Sequence, residues 1–148
     1  MIPGMAAPIK INRLRTEQAA YLAGLIDGEG TVTLTRMHPR ENRRLVVSIS
    51  NNDIALLLFV KTTIGAGKIT TKRTYSERHA PSFTYQTSSR QALDLLRQVA
   101  PFLKTYKAKR ARLALADYLR LTPRNGRYTP VLAASRRAFE HQILAIKA

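Results

Sequence analysis

The chain has 148 residues, 45% of them hydrophobic, enough to fill one core without covalent staples. It lacks cysteine, which excludes disulfides, thiolate zinc sites and thiol nucleophiles. No apolar run nears the roughly 18 residues of a membrane helix, and Pro3, Gly4 and Pro8 interrupt an N-terminus with no signal-peptide charge pattern. Lys and Arg number 25 against 9 Asp and Glu, a formal net charge of +16 that calls for a polyanionic partner. Nucleic acid is the leading candidate; a basic scaffold protein without chemistry is the plainer one.

Residues 1–15 read as an irregular arm carrying Lys10, Arg13 and Arg15. Thr16 is the expected N-cap of a first helix, with Glu17 well placed in its first turn. Gly28-Glu29-Gly30 ends that helix near Asp27. Thr31–Met37 alternates, with Val32 and Leu34 on one face, and Arg44–Asn51 alternates again with Leu45, Val47 and Ile49 inward. A basic turn containing His38, Arg40 and Arg43 joins them into a hairpin. Asp53 is the expected cap of a Leu-rich second helix over about 54–63, stopped by Gly65-Ala66-Gly67. Lys68–Thr74 and Ser82–Ser88 read as two further strands. Helices are expected over about 90–100, 106–121 and 131–147, the first two separated by Pro101.

This order predicts an α+β fold with a four-stranded antiparallel sheet whose helices cover one face. The whole chain, 1–148, reads as a single domain with a core over about 16–121 and a helical extension over 122–148. The outward positions are Thr33, Thr35, Met37, Arg44, Val46, Ser48, Lys68, Thr70, Lys72, Thr84 and Gln86. Solvated faces normally mix charge signs. This face carries cations and small polar groups suited to phosphates and base edges. Arg40, Arg43 and Lys109 join it as candidate DNA contacts.

The most specific segment is Tyr21–Gly30. Ala20, Gly24 and Gly28 lie four residues apart on one helical stripe. Each helix-interior glycine costs about 1 kcal/mol relative to alanine, so the stripe points to a close backbone approach, either by a partner helix or within the domain. Asp27 and Glu29 fall at the negative end of the helix dipole, where acids are disfavoured by roughly 0.3–1 kcal/mol each. A carboxylate beside exposed carbonyls suits a hard divalent cation such as Mg2+.

Leu22–Gly30 reads LAGLIDGEG and closely resembles the signature of the LAGLIDADG homing endonucleases, with conservative changes at two positions. The order of elements resembles that family's αββαββα core, whose sheet forms a DNA-binding saddle. The resemblance implies that two signature helices pack at an interface, with Ala20, Leu22, Ala23, Gly24 and Asp27 in it. It implies that Glu29 is a catalytic metal ligand, with the Gly28 carbonyl beside it, and that Asp27 is structural. A single motif implies a homodimer, as does the need of two-strand cleavage for two acidic sites.

The cationic run Lys104–Arg112 stands at a helix start, where the dipole disfavours it, so an anion is expected nearby. The family has a lysine here. Lys107 matches best and Lys109 second, either stabilising phosphate charge or anchoring the DNA backbone. The family also places a polar side chain at the end of the second strand; Asn51 holds that place by parity, with Asn52 the alternative. His38, His79 and His141 are scattered and form no ligand set.

The function implied is that of an intracellular, intron-encoded endonuclease cutting both strands of a long, near-palindromic duplex with Mg2+. Mn2+ is expected to substitute, and Ca2+ to support binding without cleavage. The alternative is an inactive relative acting as an RNA-splicing maturase or DNA-binding regulator, with RNA a partner only in that case.

Overall fold

The computed structural model describes residues 10–72 and 81–148, with Lys72 described as backbone alone. The elements are α1 Thr16–Glu29, β1 Gly30–Thr35, β2 Arg44–Asn51, α2 Ile54–Ile64, β3 Lys68–Lys72, β4 Ser82–Ser88, α3 Ser89–Val99, a 3-10 turn Ala100–Phe102, α4 Lys107–Asp117 and α5 Pro130–Ala145. The sheet runs β1-β2-β4-β3 and every pairing is antiparallel.

Local chemistry explains most of the boundaries. Asp53 accepts the Ala55 N–H at 3.0 Å and starts α2. Gly65 ends it in the left-handed conformation at φ 79°, and a Cβ there would strike the Asn12 side chain. Asn12 in turn donates to the Thr62 and Thr63 carbonyls, so the N-terminal arm closes the end of α2. Thr129 caps α5 by accepting the Leu132 N–H at 3.1 Å, with Pro130 at the first helical position.

The alternation of the strands sets the core. Val32, Leu34, Leu45, Val47, Ile49 and Tyr85 are buried under Leu22, Ala23, Ile26, Leu57, Val60, Leu95, Leu96 and Val99. Each such large side chain contributes about 1.5–3 kcal/mol by leaving water. The Tyr85 hydroxyl donates to the Ala66 carbonyl at 2.6 Å, and burial pushes its pKa up.

Four expectations need correction. The N-cap of α1 is Arg15, whose N–H the Gln18 side chain accepts at 2.9 Å; Thr16 is already helical. β1 stops at Thr35, and Met37 stands in the turn with its N–H bound to Glu41 Oε1 at 2.7 Å, because one carboxylate also takes the His38 N–H and closes a tight loop. α4 ends at Asp117, four residues short of the expected boundary, and continues as turns. Val46 has the outward parity but is only 4% exposed, covered between the flanking strands that place Thr33 and Ser88 beside it. Residues 1–9 of the arm, His79 and the connection after Lys72 lie outside the described residues.

Candidate active site

The end of α1 is where the acidic motif meets the rest of the chain. Gly30 donates its N–H to the Ile26 carbonyl, and a Cβ on Gly30 would come within 2.6 Å of the Ser48 carbonyl. The final glycine of the motif therefore lets the α1–β1 corner lie directly on β2. That contact brings Glu29 to the end of β2, where Asn51 Nδ2 donates to Glu29 Oε2 at 2.6 Å. Asn51 is itself oriented by the Asp53 N–H, which donates to its Oδ1 at 2.7 Å. Glu29 remains solvent-exposed at the edge of a concavity lined by Ser50, Asn51, Asn52 and Ser82.

Two residues before Glu29, α1 and α4 exchange charges. The Asp27 carboxylate accepts from the Lys104 N–H at 2.8 Å, the Thr105 N–H at 3.1 Å and the Thr105 hydroxyl at 2.6 Å. It is the anion expected at the cationic start of α4. Partial burial works to raise its pKa, but the Thr105 hydroxyl, the two backbone donors and the Lys107 charge outweigh that and hold it below the ordinary carboxylate range.

Lys107 answers at the other end. Its Nζ donates to the Ile26 and Asp27 carbonyls at 2.9 Å each, and the residue is 8% exposed. Burial pushes its pKa down and the Asp27 charge opposes this. The ammonium thus caps the negative end of α1, which removes the local objection to acids there.

Among the described residues the small-residue stripe is uncovered. α1 buries Ala19, Leu22, Ala23 and Ile26 against its own domain, whereas Ala20, Gly24 and Gly28 are exposed. A Cβ added at Gly24 or Gly28 would meet nothing within 4 Å. No close approach to the stripe is made among the described residues. Leu22 and Ala23, expected at an interface, are fully buried, because the 3.6-residue period turns them toward the sheet while the stripe faces out. Asp27, expected there too, spends its carboxylate on residues 104 and 105.

The outer sheet face carries Thr33, Thr35, Arg44, Ser48, Lys68, Thr70, Thr84 and Gln86, and none of the four strands contains Asp or Glu. Thr31, Ser48, Gln86 and Lys68 stand in one row across the sheet, with the Thr31 and Ser48 hydroxyls bonded at 2.6 Å. Arg40 is exposed in the β1–β2 turn and Lys109 is exposed on α4. Arg43 has the opposite parity: its guanidinium turns to Glu140, 3.7 Å away, and not to the outer face.

A family profile described as LAGLIDADG-like domain matches residues 16–100. The chain belongs to this family. Its fold is shared with the homing endonuclease I-CvuI, solved with its target in the presence of calcium (TM-score 0.71, 16% identity, 89% of this chain and 83% of that one). It is shared also with the archaeal intron-encoded homing endonuclease I-Vdi141I, solved with DNA (TM-score 0.58, 14% identity, 89% and 85%). The LAGLIDADG meganuclease I-AabMI, bound to uncleaved DNA, matches at TM-score 0.65 and 18% identity, over 88% of this chain but only 46% of that one. No curated protein sequence matches the chain.

Sequence reading missed three features of this family member. Thr105 gave no signal, since its role depends on Asp27, which is 78 positions away. Tyr21, Ile54, Leu58 and Phe59 are exposed, and Tyr21 packs edge-on to Phe59 with ring centres 5.9 Å apart. The apolar run 54–60 was a usable clue, being more hydrophobic than one helix face can bury. The third is the buried pair Arg136 and Glu140 on α5.

Proposed function

We propose that the protein is a site-specific, Mg2+-dependent DNA endonuclease that works as a homodimer, each copy laying its sheet along one half-site. The observation that carries this reading is Glu29: an exposed carboxylate in a chain of net charge +16, held on one oxygen by Asn51 at the end of a helix with an open glycine stripe.

The donor set fits a hard cation. Glu29 and the last-turn carbonyl of Gly28 are oxygen donors, and among the described residues no three His, Cys, Asp or Glu cluster to hold a metal unaided. Mg2+ is commonly held by one or two carboxylates together with substrate phosphates, so one acid from each copy and the DNA would complete the site. When bound, the ion would lower the pKa of a water and neutralise charge at the leaving oxygen. The chain's own residues do the rest. Asn51 orients Glu29, Lys107 and Asp27 fix the helix end that carries it, and the acid-free face binds the duplex through phosphate and base-edge contacts.

Dimerisation is supported by the stripe left uncovered among the described residues, and by exposed apolar side chains: Tyr21 on α1 with Phe59 packed against it, and Ile54 and Leu58 on α2. The 46% coverage of I-AabMI is what two copies standing in for one longer chain would give. The test is selection of cleavable duplexes from a randomised library with Mg2+, then binding with Ca2+. Glu29→Gln is expected to bind the selected duplex and not cut it; retained cutting removes Glu29 from the mechanism. Wild-type binding without cutting would favour an inactive regulator, and preference for structured RNA a maturase.

A further inference from the structure

β4 leaves the sheet at Ser88, opposite Val46, so the entry to β2 at residues 43–45 runs on beyond that neighbour. Side chains from α5 and from the turn after α4 take the place of the missing strand. The Tyr118 hydroxyl accepts the Leu45 N–H at 3.4 Å, Glu140 Oε2 accepts the Arg43 N–H at 3.2 Å, and Arg136 Nη2 donates to the Arg43 carbonyl. Residues 43 and 45 share parity, so the three bonds close one edge.

Arg136 is 2% exposed and each of its three guanidinium nitrogens donates at least one hydrogen bond. Nε donates to Glu140 Oε2 at 3.1 Å, and Nη1 donates to the Leu121 carbonyl at 3.0 Å and to the Thr122 hydroxyl. The group lies over the Tyr118 and Phe139 rings, 4.9 and 5.8 Å from their centres. An ion pair buried this completely is often no more stabilising than apolar residues of the same volume. What it does supply is a single geometry, here for the backbone that delivers Arg44 to the outer face.

We propose that Arg136 and Glu140 are positioning residues for sequence recognition: by holding the Arg43 backbone at the mouth of β2, they fix how Arg44 and the 36–43 turn meet the bases of the outer half-site. Arg44 lies seven residues along β2 from Asn51, roughly 24 Å at strand rise, so this device acts far from Glu29. The inference rests on the DNA-endonuclease reading above.

The test compares base preference at every position for wild type, Glu140→Gln, Arg136→Lys and Arg44→Ala, using a randomised duplex library with Mg2+. Glu140→Gln and Arg136→Lys are expected to lose discrimination roughly fivefold or more at the same outer positions as Arg44→Ala. Preference at the central positions, and cutting of the best wild-type duplex at saturation, should hold. Tyr118→Phe removes only the Leu45 contact and gives the same positional pattern more weakly; it decides the matter should circular dichroism show the other two unfolded. Even loss across the site, or an unchanged profile in folded variants, overturns the proposal. A wild type that selects no duplex overturns instead the reading on which it rests.

Discussion

Lys107→Met tests the brace between α1 and α4. The substitution keeps the volume and removes the ammonium that reaches the Ile26 and Asp27 carbonyls at 2.9 Å. Two charge-assisted bonds at about 1.5–3 kcal/mol each are lost, along with a favourable dipole interaction of roughly 0.3–1 kcal/mol. Against this, burying the ammonium had cost several kcal/mol, which the variant recovers. The net expectation is a loss of about 1–3 kcal/mol, or roughly 2–12 °C in Tm for a chain of this size. The pH dependence gives a second, independent readout. Burial depresses the folded pKa of Lys107. Between that depressed value and the ordinary lysine pKa, the unfolded chain binds the extra proton, so wild-type stability rises with pH relative to the variant. Urea unfolding from neutral to alkaline pH should therefore show the gap between wild type and Lys107→Met widening. An unchanged Tm, or a gap that closes on going alkaline, would refute the assignment of this amine as a buried helix-end cap.

Asp27→Asn should cost about 1–3 kcal/mol, taken at the low end because the site is partly solvated. Asp27 is depressed below its ordinary value, so its contribution is full above the unfolded pKa and is lost as pH falls through the folded one; acid unfolding curves of the variant should be flatter on that limb. Gly24→Ala should stabilise the monomer by up to about 1 kcal/mol, since the added Cβ meets nothing within 4 Å, yet weaken self-association measured by sedimentation equilibrium. Unchanged association would take the stripe out of the interface. Lys68→Gln should weaken binding evenly across DNA sequences and make the slope of log affinity against log salt shallower by about one; a sequence-selective loss would instead make Lys68 a base reader.

The local patterns of the sequence determined the secondary structure and the family. Strict alternation in 31–35 and 44–51, the Asp53 cap, the Gly65 stop and the LAGLIDGEG run are each written within a few residues, where steric period and capping chemistry act directly. Asn51 is placed by the family resemblance, with strand parity choosing it over Asn52; the two-strand hairpin is what sets the end of β2 beside the start of β1 and so Asn51 beside Glu29. The destinations of charged side chains were a different matter. Whether Lys107 faced DNA or a helix end, whether Asp27 met a partner or its own chain, and where Arg43 pointed all depended on α4, the residues just before it, and α5 docking onto residues 77 to 97 positions away. Burial of Val46 and exposure of Tyr21, Leu58 and Phe59 were likewise decided by which neighbours the packed sheet and helices brought alongside. Periodicity specifies which face of an element a residue occupies; only the assembled tertiary contacts specify what, if anything, covers that face.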